Sequence, residues 1–225
     1  RDERRTIEYQ LKTTEQYFLA VADGMGGHNA GEVASQWVLQ GLFERLQGLE
    51  GNLDEKTLQE RITIYAEAVH KAIIEEGQRD LQKHGMGSTL VGLLFYEGHL
   101  FYINVGDRRL YRLREQTLMP ISQDHSLRDL TGNPDLSSNI ILSSFGAGQT
   151  VSVDFNQATK RMVPGDIYLL CSDGLTDMVS DERIEQILTE ERNPLEALLA
   201  TANANGGKDN VSIILMKIEE DEEDK

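Results

Sequence analysis

"YFLAVADGMGGHNAGEVAS", residues 17–35, decides how this chain is read. An apolar, β-like run ends at Asp23, glycines occupy positions 24, 26 and 27, and a helical pattern follows. An Asp-Gly after a strand ordinarily makes a hairpin turn. This one leads into a helix instead, with Asn29 and Glu32 at capping-box spacing. The same join recurs in "DIYLLCSDGLTDMVSDERIEQI" (166–187), where an apolar run reaches Asp173-Gly174 and a helix begins. Two further runs carry an aspartate at one end: "FYINVGD" (101–107) at Asp107 and "DNVSIIL" (209–215) at Asp209.

Strands that share a core have their ends gathered at its rim, and several carboxylates there repel one another. A hard divalent cation, which prefers oxygen ligands, relieves that repulsion. The glycines suit such a site. Gly24 leaves its own carbonyl unobstructed beside the Asp23 carboxylate, while Gly26 and Gly27 permit close approach and backbone conformations denied to bulkier residues.

Outward from this join, the first helix aligns Ala34, Val38, Leu42, Arg45 and Leu49 on one stripe, with Trp37 alongside. A second helix is predicted from Asp54 to Lys83, with Leu58, Ile62, Tyr65, Val69 and Ile73 on its apolar face. The period then shortens. "STLVGLLFY", "HLFYINVGD", "RLYRLR" and "TLMPIS" are short runs cut at Glu97-Gly98 and Arg108-Arg109, which reads as an antiparallel meander. Residues 128–139 are rich in turn formers and read as an exposed loop. Strands resume with "NIILSSFG", "TVSVDF" and "DIYLLCSD"; helices follow at 181–190 and 194–204, and "NVSIILMKI" closes the chain as a strand. The expectation is one α+β domain over residues 1–218, followed by a disordered acidic tail at 219–225.

Charge narrows the function. The chain holds 38 acids against 22 Lys plus Arg, a net charge of −16. Such a protein does not bind nucleic acid or anionic lipid through general charge, and an anionic substrate would require cations. A single cysteine, Cys171, rules out a disulfide framework and suits a reducing compartment, so the location expected is cytoplasmic. No apolar stretch approaches the ~20 residues of a membrane span, and "RDERRTIEYQ" is not a signal peptide.

Other phosphate chemistries fail on spacing. "GMGGHNAG" places Asn29 where a dinucleotide loop needs its third glycine, and no phosphate-binding G-x-x-x-x-G-K-[ST] loop occurs. A cysteine nucleophile at Cys171 would want an arginine six positions on, which is Asp177; the thiol reads as buried strand filler. His28, His70, His84, His99 and His125 show no zinc-like spacing. His125 reads as a loop residue bonded to its neighbours.

"VADGMGGHNAGEVAS", "GSTLVGLL", "NVGDRRLYRLR", "QDHSL", "LLCSDGLTDMV" and "GGKDNVSIIL" occur in one order over residues 17–218. In that order they resemble the metal-dependent serine/threonine protein phosphatases of the protein phosphatase 2C type, with Met25 as in the bacterial branch. The resemblance implies a four-layer α-β-β-α sandwich of two antiparallel sheets, each covered by a helix pair. It implies that Asp23 bridges two Mg²⁺ or Mn²⁺ ions, that the Gly24 carbonyl completes one of them, and that Asp173 and Asp209 hold the other. Asp107 and Asp177 match the positions of a third, weaker metal. The implied reaction is hydrolysis of phosphoserine or phosphothreonine by a metal-activated water. The implied partners are phosphorylated proteins made by a serine/threonine kinase, acted on by a monomer. Asp2, 21 residues before Asp23, matches an acid that stands behind the direct ligands. The position of the family's phosphate-binding arginine falls before residue 1, so that residue is absent or trimmed off here, and Arg4 and Arg5 are weak substitutes. Arg108 stands where serine is commoner, a change expected to matter little. Segment 128–139 matches the family's flap and is short. The contrasting reading is a catalytically weak or silent phosphatase-fold domain that serves in regulation; loss of Asp23, Asp173 or Asp209 would favour it, and all three are present.

Overall fold

The period-2 segments pair as two separate antiparallel sheets in a computed structural model that describes residues 6–12, 15–26, 28–122 and 143–220. The first sheet has the order β1-β2-β3-β6, from Tyr17–Met25, Gly87–Tyr96, His99–Val105 and Asp154–Gln157. The second has the order β5-β4-β7-β8, from Thr117–Pro120, Arg109–Arg114, Ile167–Cys171 and Ile213–Lys217. Two helices, α1 (His28–Gln47) and α2 (Glu55–Arg79), pack on the first sheet. The short α3 (Asp173–Thr176), α4 (Asp181–Glu190) and α5 (Pro194–Ala204) pack on the second.

Side-chain alternation assigns the layers. In β2, Val91, Leu93 and Phe95 meet Leu110, Tyr168 and Leu170 of the second sheet, while Leu90, Leu94 and Tyr96 face the helices. A strand covered on both faces carries no polar alternation, which is why all ten residues of β2 are buried. In β7, Tyr168 and Leu170 turn to the sheet seam, and Leu169 and Cys171 turn to Ile184, Ile187 and Leu198 of α4 and α5. Three apolar layers thus separate four layers of structure, as the resemblance implied.

The predicted helices at 181–190 and 194–204 form over those residues. Ser180 caps α4 by accepting from the Arg183 N–H, and Asn193 caps α5, with Pro194 at its first position. The second helix ends earlier than expected, at Arg79, where Asp80 caps it and opens a 3₁₀ turn at 81–83. Helix α1 begins at His28, so Asn29 lies within its first turn and not at the cap. Its buried stripe is Ala30, Ala34, Val38, Leu42 and Leu46; Arg45 and Leu49 are only half-buried, because the helix ends at Gln47. "TVSVDF" contributes only its last two residues to β6.

One expectation fails in a way that matters. β2 and β3 form a hairpin through Glu97 and Gly98, both at positive φ, as two-residue hairpins require. β3 and β4 do not pair. Residues 106–108 carry the chain from the first sheet to the second, so the run is two hairpins in different sheets and not one meander. That crossing holds Asp107 and Arg108. Asp2, Arg4, Arg5, Gly27, His125, the segment 128–139 and the end of the acidic tail lie outside the described residues.

Candidate metal centre

Asp23 lies inside β1, opposite Thr89 of β2, and not at the strand's end. Its carbonyl accepts from Ser88 Oγ at 2.9 Å and from Thr89 Oγ1 at 3.4 Å. Next to it, Gly24 is a packing necessity: a Cβ there would stand 1.8 Å from the Gly31 carbonyl oxygen of α1. Glycine at 24 therefore lets the first turns of α1 press onto β1, a stronger reason than an unobstructed carbonyl. Gly26 has φ +110, a conformation denied to other residues without strain.

The second sheet supplies the other side. β7 ends at Cys171, Ser172 stands at the N-cap position of α3 without a side-chain capping bond, and Asp173 is the helix's first residue. The Asp177 N–H donates to the Asp173 carbonyl at 2.8 Å, so the two acids stand one helical turn apart. Ser172, itself buried, joins this corner to the segment before β8. Its Oγ donates to the Asn210 carbonyl at 3.2 Å and accepts from the Ser212 N–H at 3.0 Å. Gly174 makes room for that segment, since a Cβ would meet the Asn210 oxygen at 2.2 Å. Asp209, whose Oδ1 accepts from the Asn210 N–H, is carried to the same rim.

The centre of the acid group is Arg108. Its guanidinium is 4% exposed; Nη1 lies 2.6 Å from Asp173 Oδ2 and 3.6 Å from Asp107 Oδ1, and Nη2 lies 3.2 Å from Asp23 Oδ2. Nε donates to Thr89 Oγ1 at 2.9 Å. The expectation that this arginine matters little is corrected: it reaches carboxylates of both sheets and of the crossing between them. Sequence reading missed it because Asp173 is remote in the chain; an arginine replacing a small polar residue beside a cluster of acids was the available signal. Ser88, Thr89 and Ser172 were missed for the same reason.

The electrostatics follow. Burial raises the Asp23 pKa; Arg108 opposes this, and Asp173 and Asp209 add to it. Burial also raises that of Asp177, again with Asp173 adding and Arg108 opposing. Burial works against the Arg108 charge, but Asp107, Asp173 and Asp23 outweigh it and its pKa rises. The seat is nevertheless imperfect. Nη1 is in ion-pair contact with Asp173, yet among the described residues neither Nη1 nor Asp173 Oδ1, both buried, has a well-aligned hydrogen-bond partner. A hard divalent cation takes carboxylate and carbonyl oxygens as ligands and fills the rest of its octahedral shell with water, so this all-oxygen donor set fits such a metal. Among the described residues no group of three or more His, Cys, Asp or Glu stands close enough together to hold a metal ion as it is.

Cys171 is fully buried and burial pushes its thiol up to about 12, as befits strand filler and not a nucleophile. Among the described residues no helix is long and apolar enough to cross a membrane.

A two-sheet sandwich with acids from both sheets at one rim defines a class, and comparison with known proteins agrees. The family model described as Protein phosphatase 2C matches residues 6–211, and the chain belongs to that family. It is a metal-dependent enzyme that hydrolyses phosphoserine and phosphothreonine in proteins. The chain is 33% identical over 215 residues to the serine/threonine phosphatase stp of Listeria welshimeri, covering 90% of this chain and 84% of that one. Its fold superposes on Stp1 of Staphylococcus aureus with a TM-score of 0.81, at 33% identity, covering 92% and 85% of the two chains. The catalytic domain of the phosphatase PstP, solved with two manganese ions, matches with a TM-score of 0.74 at 32% identity, covering 92% and 91%.

Proposed function

We propose that Asp23, the Gly24 carbonyl, Asp173 and Asp209 hold two Mg²⁺ or Mn²⁺ ions, and that Asp107 and Asp177 take a third, weaker one. The observation that carries this reading is the cation receptor already formed around Arg108, where carboxylates from β1, from the crossing and from α3 converge on one positive charge. When bound, the metals supply an activated water and screen the phosphoryl oxygens. The chain's own part is to hold the donors. Ser88 and Thr89 fix the backbone at Asp23; Ser172 ties Asp209 to Asp173; the first turn of α3 sets Asp177 beside them. Without added cations the rim would repel a phosphate dianion, so phosphate binding and metal binding are coupled here. The substrates of this reading are phosphoproteins made by serine/threonine kinases, met by a monomer in the cytoplasm.

Asp173→Asn tests it. Titration calorimetry with MnCl₂ should show weakened binding, and hydrolysis of an aryl phosphate should nearly vanish. Asp177→Asn should shift the metal dependence and spare most turnover. Mn²⁺ binding by Asp173→Asn as tight as the wild type's sinks the ligand assignment.

A further inference from the structure

We infer that Arg108 is an internal counter-cation that competes with divalent metal for the carboxylate site, so that the metal loads only by displacing the guanidinium. This rests on the reading of Asp23, Asp173 and Asp107 as metal ligands. Three features support it. The guanidinium contacts one carboxylate oxygen from each of these acids, so arginine and metal draw on the same donors. The seat satisfies the arginine imperfectly: among the described residues Nη1 is buried with ion pairs to Asp173 and Asp107 but no well-aligned hydrogen bond, while Nε donates to Thr89 Oγ1. Finally, the movement needed is confined to the side chain. Ser122 Oγ accepts from the Leu110 N–H at 2.9 Å and donates to the Arg108 carbonyl at 3.3 Å, which holds the backbone at the start of β4.

The two occupants have opposite merits. Arginine is tethered, so its local concentration is fixed and independent of supply. A divalent ion carries twice the charge and can complete its octahedral shell with water where the protein supplies too few oxygens, but must arrive from solution. Apparent metal affinity is therefore the intrinsic affinity reduced by the fraction of molecules whose site is clear of arginine. Arg108 sets a threshold: below a certain free-metal level it partly offsets the repulsion among the acids and the fold stays intact, but the site is not loaded.

The test is calorimetric titration of MnCl₂ into chelator-treated wild type, Arg108→Ser and Arg108→Met, with melting curves in chelator and in Mn²⁺. If a clear site is a minority state of the wild type, both variants should bind Mn²⁺ at least about tenfold more tightly. Melting should separate them too. The wild type should be little affected by chelator, whereas both variants should melt lower in chelator and recover with Mn²⁺, because their acids lack a counter-charge. Wild-type-like Mn²⁺ affinity in both variants overturns the competition and leaves the ligand assignment standing. So does unchanged affinity with a raised KM for aryl phosphate, which makes Arg108 a substrate-binding group. Failure of all three proteins to bind Mn²⁺ defeats the ligand reading itself.

Discussion

Ser172→Ala removes a side chain that ties the two acid-bearing segments of the second sheet together. The hydroxyl makes two hydrogen bonds, to the Asn210 carbonyl and from the Ser212 N–H, in a residue only 2% exposed. A neutral hydrogen bond contributes about 0.5–1.5 kcal/mol net, so the pair is worth roughly 1–3 kcal/mol. In a domain of this size each kcal/mol moves the melting point by about 2–4 °C, and a loss near 2 kcal/mol lowers it by about 4–8 °C. The site should suffer separately. Asn210 follows Asp209 directly, so loosening it frees the carboxylate, and groups that orient metal ligands are typically worth about 10–100-fold in affinity. Scanning calorimetry gives the first number and titration with Mn²⁺ the second. Leu198→Ala is the control: it opens a cavity in the same layer, costs about 2–5 kcal/mol, and touches no acid. Unchanged melting in Ser172→Ala refutes the energetic argument. A lowered melting point with Mn²⁺ binding no weaker than that of Leu198→Ala refutes the claim that the serine positions Asp209.

Gly24→Ala should fold poorly or shift α1, since its Cβ would collide with the Gly31 backbone; amide exchange in the first turns of α1 should rise, and an unchanged pattern would be contrary to the packing described. Thiol reagents at pH 8 should neither label native Cys171 nor inhibit hydrolysis, while protein in denaturant reacts at once; inhibition of the native enzyme would point to cysteine chemistry. Asp54 accepts from the Thr57 N–H at 2.7 Å, chiefly by which its carboxyl is held below the usual range. The folded-state pKa is the lower one, so this stabilisation is full above the unfolded value of about 4 and disappears as pH falls through the folded value. Asp54→Asn keeps a neutral cap and should flatten that acid limb in melts taken across pH; an identical limb would remove Asp54 from the account.

What the chain revealed in advance was what local pattern encodes. Caps such as Ser180 and Asn193 act within their own helix, and the helices they open were readable to the residue. The run "STLVGLLFY" announced a strand, but that both its faces are buried, Ser88 and Thr89 included, emerges only from the stacking of the layers. Assignment of strands to sheets was hidden, because the crossing at 106–108 has the same polar interruption as the hairpin at Glu97-Gly98, and only long-range pairing tells them apart. The acids at the rim could be listed from "VAD", "VGD", "CSD" and "KDN". Their common neighbour could not, since Arg108 meets Asp23 and Asp173 across two sheets. The helix start at His28 was misread because capping-box spacing at Asn29–Glu32 also fits the interior of a first turn.

The three-residue crossing leaves almost no slack between the sheets. Asp23 belongs to one sheet, Asp173 to the other, and Asp107 to the strap between them. The site is thus a seam, and its geometry measures how the two halves of the sandwich are docked. A small slip between the layers at Tyr102 or Leu170, too slight to unfold anything, would pull the acids out of register. Turnover should therefore register faults in the distant interior before melting temperature does.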